Sequence, residues 1–157
     1  MKGAGTLAAA SMFGGVAPYV MSSEKKVLRY LGTAVNQDTK IGEKAKEDLG
    51  ITIEYIPVTT DEVTKRILTQ PNSFDLVDTE YFSLKKLVPS GNLIGMNAKR
   101  IKEFDNIVTA FTKGEVAGKK IGDQGTAPKK VFYKDGEMSK NFSSTPTEWV
   151  TLIPTVY

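Results

Sequence analysis

The chain has 157 residues, of which 40% are hydrophobic and 25% charged, a composition typical of one globular domain. Lysine and arginine outnumber aspartate and glutamate by 21 to 18, and the net charge of +3 is too small and too scattered to indicate nucleic-acid binding. Cysteine and histidine are absent, which excludes disulfides, thiol nucleophiles, histidine general bases and the usual zinc ligand sets.

Residues 1–24 are predicted to be the remnant of an export signal. Lys2 is followed by a largely apolar run, and no acidic residue occurs before Glu24. The stretch KGAGTLAAAS resembles the interior of twin-arginine signal peptides, but the arginine pair that normally stands upstream is missing, so we expect an incomplete start. Gly3, Gly5 and Ala8 fit a dinucleotide-binding fingerprint, yet no strand precedes them, and no cofactor is predicted.

The segment after this leader begins with a predicted strand and helix. KVLRYL, from Lys26 to Leu31, is β-prone and is followed by Gly32-Thr33 as an exit loop. A helix starting at residue 35 or 38 is predicted to end at Leu49. Positions 41, 45 and 49 are apolar at helical spacing, and Gly50 is a natural C-terminal cap.

A strand, a helix and a second strand follow next. ITIEYI, from Ile51 to Ile56, is rich in β-branched and aromatic residues and predicts a strand. Thr59 and Glu62 fit a capping box that starts a helix, and FDLV, from Phe74 to Val77, predicts the second strand. This βαβ pattern predicts an α/β fold with a mainly parallel sheet flanked by helices.

The rest of the chain predicts shorter elements and loops. Ser83 to Leu93 should form a short helix, and Asn97 to Phe111 has apolar residues at helical or broken-helical spacing that indicate core packing. Residues 113–147 are predicted to be mostly loops, with one strand from Lys130 to Tyr133. Trp149 to Tyr157 is strand-like and stops without a turn, so we expect a truncated chain.

Polar side chains follow the predicted strands, where parallel sheets bind their ligands. Thr59-Thr60 comes after the second strand, and Asp78-Thr79-Glu80-Tyr81 comes after the third. Hydroxyls, carboxylates and a phenol suit ligand binding better than core packing. Asp75 adds a third nearby carboxylate, but no catalytic partner is identifiable elsewhere, so no enzyme is predicted.

Taken in this order, the elements resemble the first lobe of an extracellular solute-binding protein of a bacterial ABC transporter, in the polyamine-binding branch. The resemblance spans about Val27 to Tyr157, with a weakly matching stretch at 114–144. Its anchors are KVLRYLGT, the strand after LGI, FDLVDTEYF with the lysine-bearing helix and Gly-Asn-Leu turn behind it, and LIPTVY. The resemblance implies that residues 25–157 form the N-terminal lobe and that the second lobe is missing, so we expect weak or no binding by this chain alone.

What the resemblance implies about function is transport without chemistry. Such proteins capture a small solute in the periplasm by lobe closure and deliver it to permease subunits in the membrane. We accordingly expect a monomer that binds no metal, cofactor or nucleic acid. The ligand-facing positions carried over from the family are Gly32, Thr33, Thr59, Thr60, Thr79, Glu80, Tyr81 and Tyr157.

The charge of the solute and the class of protein both have alternatives. Polyamine-binding members usually place a tryptophan after the first strand, where this chain has Gly32-Thr33. Asp78 and Glu80 favour an organic cation, whereas Gly32-Thr33 and the helix capped by Thr59 could donate hydrogen bonds to an anion. A ligand-sensing domain of a transcription regulator shares this architecture, and a non-functional gene fragment is a third hypothesis.

Overall fold

A three-stranded parallel sheet organises the first half of the described chain. The structure, a computed structural model, describes residues 26–154. Strands β1 (Lys26–Gly32), β2 (Ile51–Pro57) and β3 (Leu76–Val77) lie in the order β2-β1-β3, and both pairings are parallel. The predicted α/β class and the parallel pairing are therefore confirmed, although β3 is shorter than its sequence indicated.

Helices connect the strands and continue beyond the sheet. Within residues 26–154, none has the length and apolar character needed to cross a membrane. The helices are α1 (Thr39–Leu49), α2 (Thr60–Thr69), α3 (Tyr81–Ser90), α4 (Thr109–Thr112) and α5 (Pro128–Val131). Single turns of 3₁₀ helix occur at residues 34–36, 71–73, 98–100 and 104–106.

The ends of α1 and α2 are set by local capping interactions. The Asp38 carboxylate accepts a hydrogen bond from the Lys40 N–H at 2.9 Å at the start of α1, and Gly50 ends that helix with a φ of 66°. The Thr59 hydroxyl accepts from the Glu62 N–H at 3.4 Å at the start of α2. The Asp38 and Thr59 side chains accept hydrogen bonds from backbone N–H groups that have no partner inside the helix. Because such caps are residues of characteristic type, the starts of both helices could be predicted from the sequence.

The second half contains two short antiparallel pairs. Strand β4 (Met96–Asn97) pairs with β7 (Trp149–Val150), and β5 (Glu115–Val116) pairs with β6 (Lys119–Lys120). The β4–β7 pair brings a segment near the middle of the chain against the last described residues. This long-range pairing places residues 151–154 near β3 of the three-stranded parallel sheet.

Predictions for the second half were less accurate. The strand predicted from Lys130 to Tyr133 is wrong, because Pro128–Val131 forms α5. Proline is favoured at the first helical position, where its fixed φ suits the helix and no donor is lost, and this signal overrides the β-prone residues behind it. The predicted strand from Trp149 continues for only two residues in the described range, and Tyr157 lies outside the described residues.

Three apolar clusters form the core of residues 26–154, and α3 connects them. Leu87 on α3 packs into the cluster between the sheet and α2, whereas Leu84 and Val88 pack towards α5. The cluster under the sheet contains Leu31, Val63, Ile67, Phe74 and Leu87. The second contains Ala98, Phe132, Tyr133 and Val150, and the third contains Leu84, Val88 and Val131.

The apolar stripe of α1 is not part of any of these clusters. The helix is present as predicted, but Ile41 is 56% exposed and Leu49 is 67% exposed. No residue of α1 is buried. The periodicity thus identified the helix correctly, while the face it marks is open to solvent in this chain.

An ion pair joins Arg29 on β1 to Asp75, the residue before β3. The Arg29 Nη2 lies 2.8 Å from Asp75 Oδ1, and the Arg29 Nε donates to Asp75 Oδ2 at 3.0 Å. The hydrogen bonds from Arg29 lower the pKa of the Asp75 carboxyl from its usual 3.8 to about 2. The pair therefore favours the ionised carboxylate in the native state.

We expect Asp75→Asn to reduce the acid sensitivity of the fold. Because the native pKa is depressed, the pair's contribution is present above pH 3.8 and is lost as the pH falls from 3.8 towards 2. Urea denaturation at pH 7 and pH 2.5 measures this loss, which should be smaller in Asp75→Asn than in the unaltered chain. Asp105→Asn, at an exposed position outside the sheet, is the control. An identical loss in the Asp75 variant would contradict the assignment.

Candidate functional site

The carboxyl end of β3 opens into a cavity of about 690 Å³. Small-molecule sites are usually clefts of about 300–1,000 Å³ with apolar walls and a few polar groups. Its polar lining includes the segment Asp78-Thr79-Glu80, which follows β3 and leads into α3, and also Asp75, Asn92 and Thr151. The apolar wall comes from segments 92–96 and 151–154, and includes Leu93, Ile94, Met96, Leu152 and Ile153.

Two side chains from other elements orient the carboxylates of this segment. The Asn36 Nδ2, in the turn after β1, donates a hydrogen bond to Asp78 Oδ2 at 2.6 Å. The Thr60 hydroxyl, in the first turn of α2, donates to Glu80 Oε1 at 2.8 Å. Both carboxylates are therefore positioned before any ligand arrives, which lowers the entropy lost on binding.

Gly32 at the end of β1 allows the sheet to bring Asp78 into place. The Asp78 N–H donates to the Leu31 carbonyl at 2.9 Å, and the Val58 N–H donates to the Gly32 carbonyl at 2.9 Å. A Cβ at position 32 would lie 2.8 Å from the Asp78 Cβ, closer than van der Waals contact allows. Glycine is therefore required here by close approach of two strand ends.

We expect Gly32→Ala to lower the free energy of unfolding by about 1–3 kcal/mol, the usual cost of overpacking a site that cannot relax. The contact is with a Cβ, so the backbone that carries Asp78 has to move. Urea denaturation measures the cost. Gly136→Ala is the matched control, because no atom lies within 4 Å of its added Cβ. Equal stability of the two variants would contradict the close approach.

The structure brings only part of the predicted site to the cavity. Thr79, Glu80 and Tyr81 line it, whereas Gly32 and Thr60 contact its acidic residues without lining it. Thr33 and Thr59 lie at helix starts away from the lining. Tyr157 lies outside the described residues, although Pro154 lines the cavity.

Tyr81 and Thr79 differ in whether the protein satisfies their hydroxyls. The Tyr81 hydroxyl donates to the Phe111 carbonyl at 2.7 Å, and its burial raises the pKa of the phenol above its usual value. Its ring also packs against two of the core clusters. A ligand could therefore contact the ring, but displacing the hydroxyl would break its hydrogen bond to the Phe111 carbonyl. The Thr79 hydroxyl is buried and has no hydrogen-bond partner among the described residues.

Sequence reasoning missed Asn36, Gln37 and the whole apolar wall. The Gln37 amide donates to the Gly32 carbonyl at 3.3 Å, and this bond ties the turn to the end of β1. Two adjacent amides in the loop after a strand were a usable signal, because such loops carry ligand-facing groups in α/β folds. The apolar wall had no such signal, since its residues look like ordinary core.

A second depression is less suited to a ligand. It measures about 770 Å³, is more open to solvent, and is lined by both lysine and acidic side chains. Lys99 and Glu148 form an ion pair there at 3.1 Å, so the surface has no single charge preference. Among residues 26–154, no three acidic side chains are grouped closely enough to hold a metal ion.

No protein-family model, curated protein or solved structure matches this chain. Its class is therefore defined by the described geometry. It is a mixed α/β protein with a small three-stranded parallel sheet and helices around it. The cavity at the carboxyl end of β3 is its candidate binding site.

Proposed function

We propose that the chain is the substrate-binding component of an ABC importer, in which it captures a small solute in the periplasm. An organic cation is the favoured solute, and permease subunits in the membrane receive it. The observation that carries the proposal is the cavity beyond β3, which Asp78 and Glu80 line and which no lysine or arginine among residues 26–154 lines. A polar rim at the end of a parallel strand is the usual place for a ligand in α/β proteins.

Capture of the solute in this site requires no covalent reaction. The carboxylates of Asp78 and Glu80 accept hydrogen bonds from Asn36 and Thr60, and a cationic solute would add charge-assisted hydrogen bonds to the same two groups. The apolar wall would exclude water from the remainder of the solute. Residues 25–157 act in this proposal as the N-terminal lobe, and a second lobe would close over the open side of the cavity.

Solute binding by the full 157-residue chain is the direct test. Backbone NMR shifts, which detect millimolar affinities, would be followed during titration with polyamines, amino acids, sugars and oxyanions. We expect an organic cation to shift residues 78–80, and Glu80→Gln to weaken its binding at least roughly tenfold, since a hydrogen bond to a charged group contributes about 1.5–3 kcal/mol. Thermal stabilisation by the same compound provides a second readout.

The matched control is Glu103→Gln, at an exposed position outside the cavity. It removes the same charge from the chain and should leave the affinity unchanged. An equal loss in both variants would mean that the solute responds to net charge alone. The proposed function requires at least weak, millimolar binding by this lobe alone, so the absence of any shift at residues 78–80 with millimolar solute of every class would overturn it.

An anionic solute and a sensing role are the alternatives. Asp78 and Glu80 line the cavity, and no lysine or arginine among residues 26–154 does, which opposes an anion. A cytoplasmic sensor of a transcription regulator would use the same kind of site, so location separates the two. A reporter fused behind residues 1–30, with an arginine pair restored upstream, should be exported to the periplasm. Retention in the cytoplasm would favour the sensor.

A further inference from the structure

Two of the three carboxylates that line the cavity follow the carboxyl end of β3. Asp78 and Glu80 follow the strand, and Thr79 between them has a buried hydroxyl without a hydrogen-bond partner among the described residues. The remaining lining includes apolar side chains such as Ile94, Met96 and Leu152, together with the polar residues Asp75, Asn92 and Thr151. The cavity therefore has a charged end and an apolar body.

The third carboxylate of the lining is already neutralised. Asp75 precedes β3, so it lies at the opposite end of the strand from Asp78. Arg29 holds both of its oxygens, at 2.8 Å and 3.0 Å. A solute with ammonium groups along its whole length would find no uncompensated acceptor at that end, and would have to bury a charge against apolar side chains at high cost.

In the described part of the chain the lining includes no lysine or arginine, although the chain as a whole has 21 lysines and arginines against 18 acidic residues. A random patch of this surface would be expected to include basic side chains. Their exclusion from the cavity makes its potential negative where the rest of the molecule is slightly positive, and this difference opposes an anionic solute.

We propose that the cavity takes an organic cation with a single ammonium group and an apolar, ring-sized body. The ammonium lies between Asp78 and Glu80, and the body lies against Ile94, Met96 and Leu152. This inference rests on the proposed function, since it names the solute class of the same site. It differs from the polyamine expectation, because an evenly charged chain does not match a cavity with one charged end.

Four probes of related shape test the proposal on the full chain. Tryptamine has the ammonium and the ring, tryptophol replaces the ammonium with a hydroxyl, indole-3-acetate has a carboxylate in place of the ammonium-bearing carbon, and spermidine has ammonium groups without the ring. NMR titration should show tryptamine binding at least about tenfold more tightly than each of the other three, the ratio expected for a charge-assisted hydrogen bond. The shifted residues should include 78–80 and 94–96.

Variants at the two ends separate the contributions. The double variant Asp78→Asn with Glu80→Gln keeps acceptors for Asn36 and Thr60 and should abolish the preference for tryptamine over tryptophol. Ile94→Ser should weaken tryptamine about threefold, because Ile94 is 59% exposed and only part of it faces the cavity. Leu49→Ser, at a position 67% exposed on α1, is the matched control and should have no effect.

The failures of the two proposals are distinguishable. Tighter binding of spermidine than of tryptamine would overturn the inference and leave the proposed function standing. Equal binding of tryptamine and tryptophol, or tryptamine binding that the double variant and Ile94→Ser do not change, would also overturn it. No binding by these probes or by any solute of the wider panel would overturn both.

Discussion

Phe132→Ala should lower the free energy of unfolding by about 3–5 kcal/mol, the range for removing a buried phenylalanine. Phe132 has no exposed surface. Its ring lies edge-on to Tyr133 with centroids 4.9 Å apart and stacks on Phe104 at 6.2 Å. Aromatic pairs of this geometry add about 0.5–1.5 kcal/mol each beyond burial. Urea or thermal denaturation measures the loss.

The same substitution should also weaken solute binding. The Thr151 N–H donates to the Phe132 carbonyl at 2.8 Å, and Leu152 and Ile153 pack against the Phe132 cluster. These residues form part of the cavity wall, so a collapsed or mobile wall is the expected consequence. Phe82→Ala, at a position 60% exposed, is the control and should change stability by no more than about 0.5 kcal/mol. Similar losses at positions 132 and 82 would contradict the core assignment.

Lys134→Ala should cost about 2–4 kcal/mol, because it removes a buried stem and the donors that two carbonyl groups use. Lys134 has no exposed surface, which is unusual for a lysine. Its Nζ donates to the Leu93 carbonyl at 2.7 Å and to the Glu137 carbonyl at 3.0 Å. The side chain thus joins the loop that supplies part of the cavity wall to the loop at 135–140. Chemical denaturation measures the cost, and Lys86→Ala, at an exposed position on α3, should be nearly neutral.

Comparing the pH dependence of stability in Lys134→Met and in the unaltered chain separates the effect of the buried ammonium from that of the aliphatic part of the lysine side chain. Burial lowers the pKa of the Lys134 ammonium below its usual 10.5. The buried charge therefore costs stability at neutral pH, and this cost disappears as the pH rises through the native pKa towards 10.5. Relative to Lys134→Met, the unaltered chain should gain stability between pH 7 and pH 10. A constant difference over that range would show that the ammonium is not penalised by its surroundings.

Where a structural signal is local, the sequence was sufficient to predict the helix or strand that it marks. Asp38, Thr59 and Gly50 act within a few residues of their position, and the helices they bound were predicted closely. The strands β1 and β2 were also predicted, because a run of β-branched and aromatic residues bounded by glycine or proline rarely forms anything other than a strand. Residues 97–111 and 128–133 were harder, since short helical turns there depend on packing against distant segments.

Only the polar half of the candidate site was predicted from the sequence. Hydroxyl and acidic side chains after a strand are conspicuous, and Thr79 and Glu80 do line the cavity. The hydrogen bonds from Asn36 to Asp78 and from Thr60 to Glu80 join residues 42 and 20 positions apart in the chain. No local pattern specifies such pairs, because they exist only after the strands are placed in the order β2-β1-β3.

The sequence by itself determined which segments are helices and strands in the first half, that the strands run parallel, and that polar groups cluster after β3. Those properties follow from backbone preferences and capping groups, which act over a few residues. The tertiary structure alone decided that residues 92–96 and 151–154 complete the cavity, that Arg29 neutralises Asp75, and that the stripe of α1 stays exposed. These outcomes depend on which surfaces meet, and burial and ion pairing are settled by contacts between residues far apart in the chain.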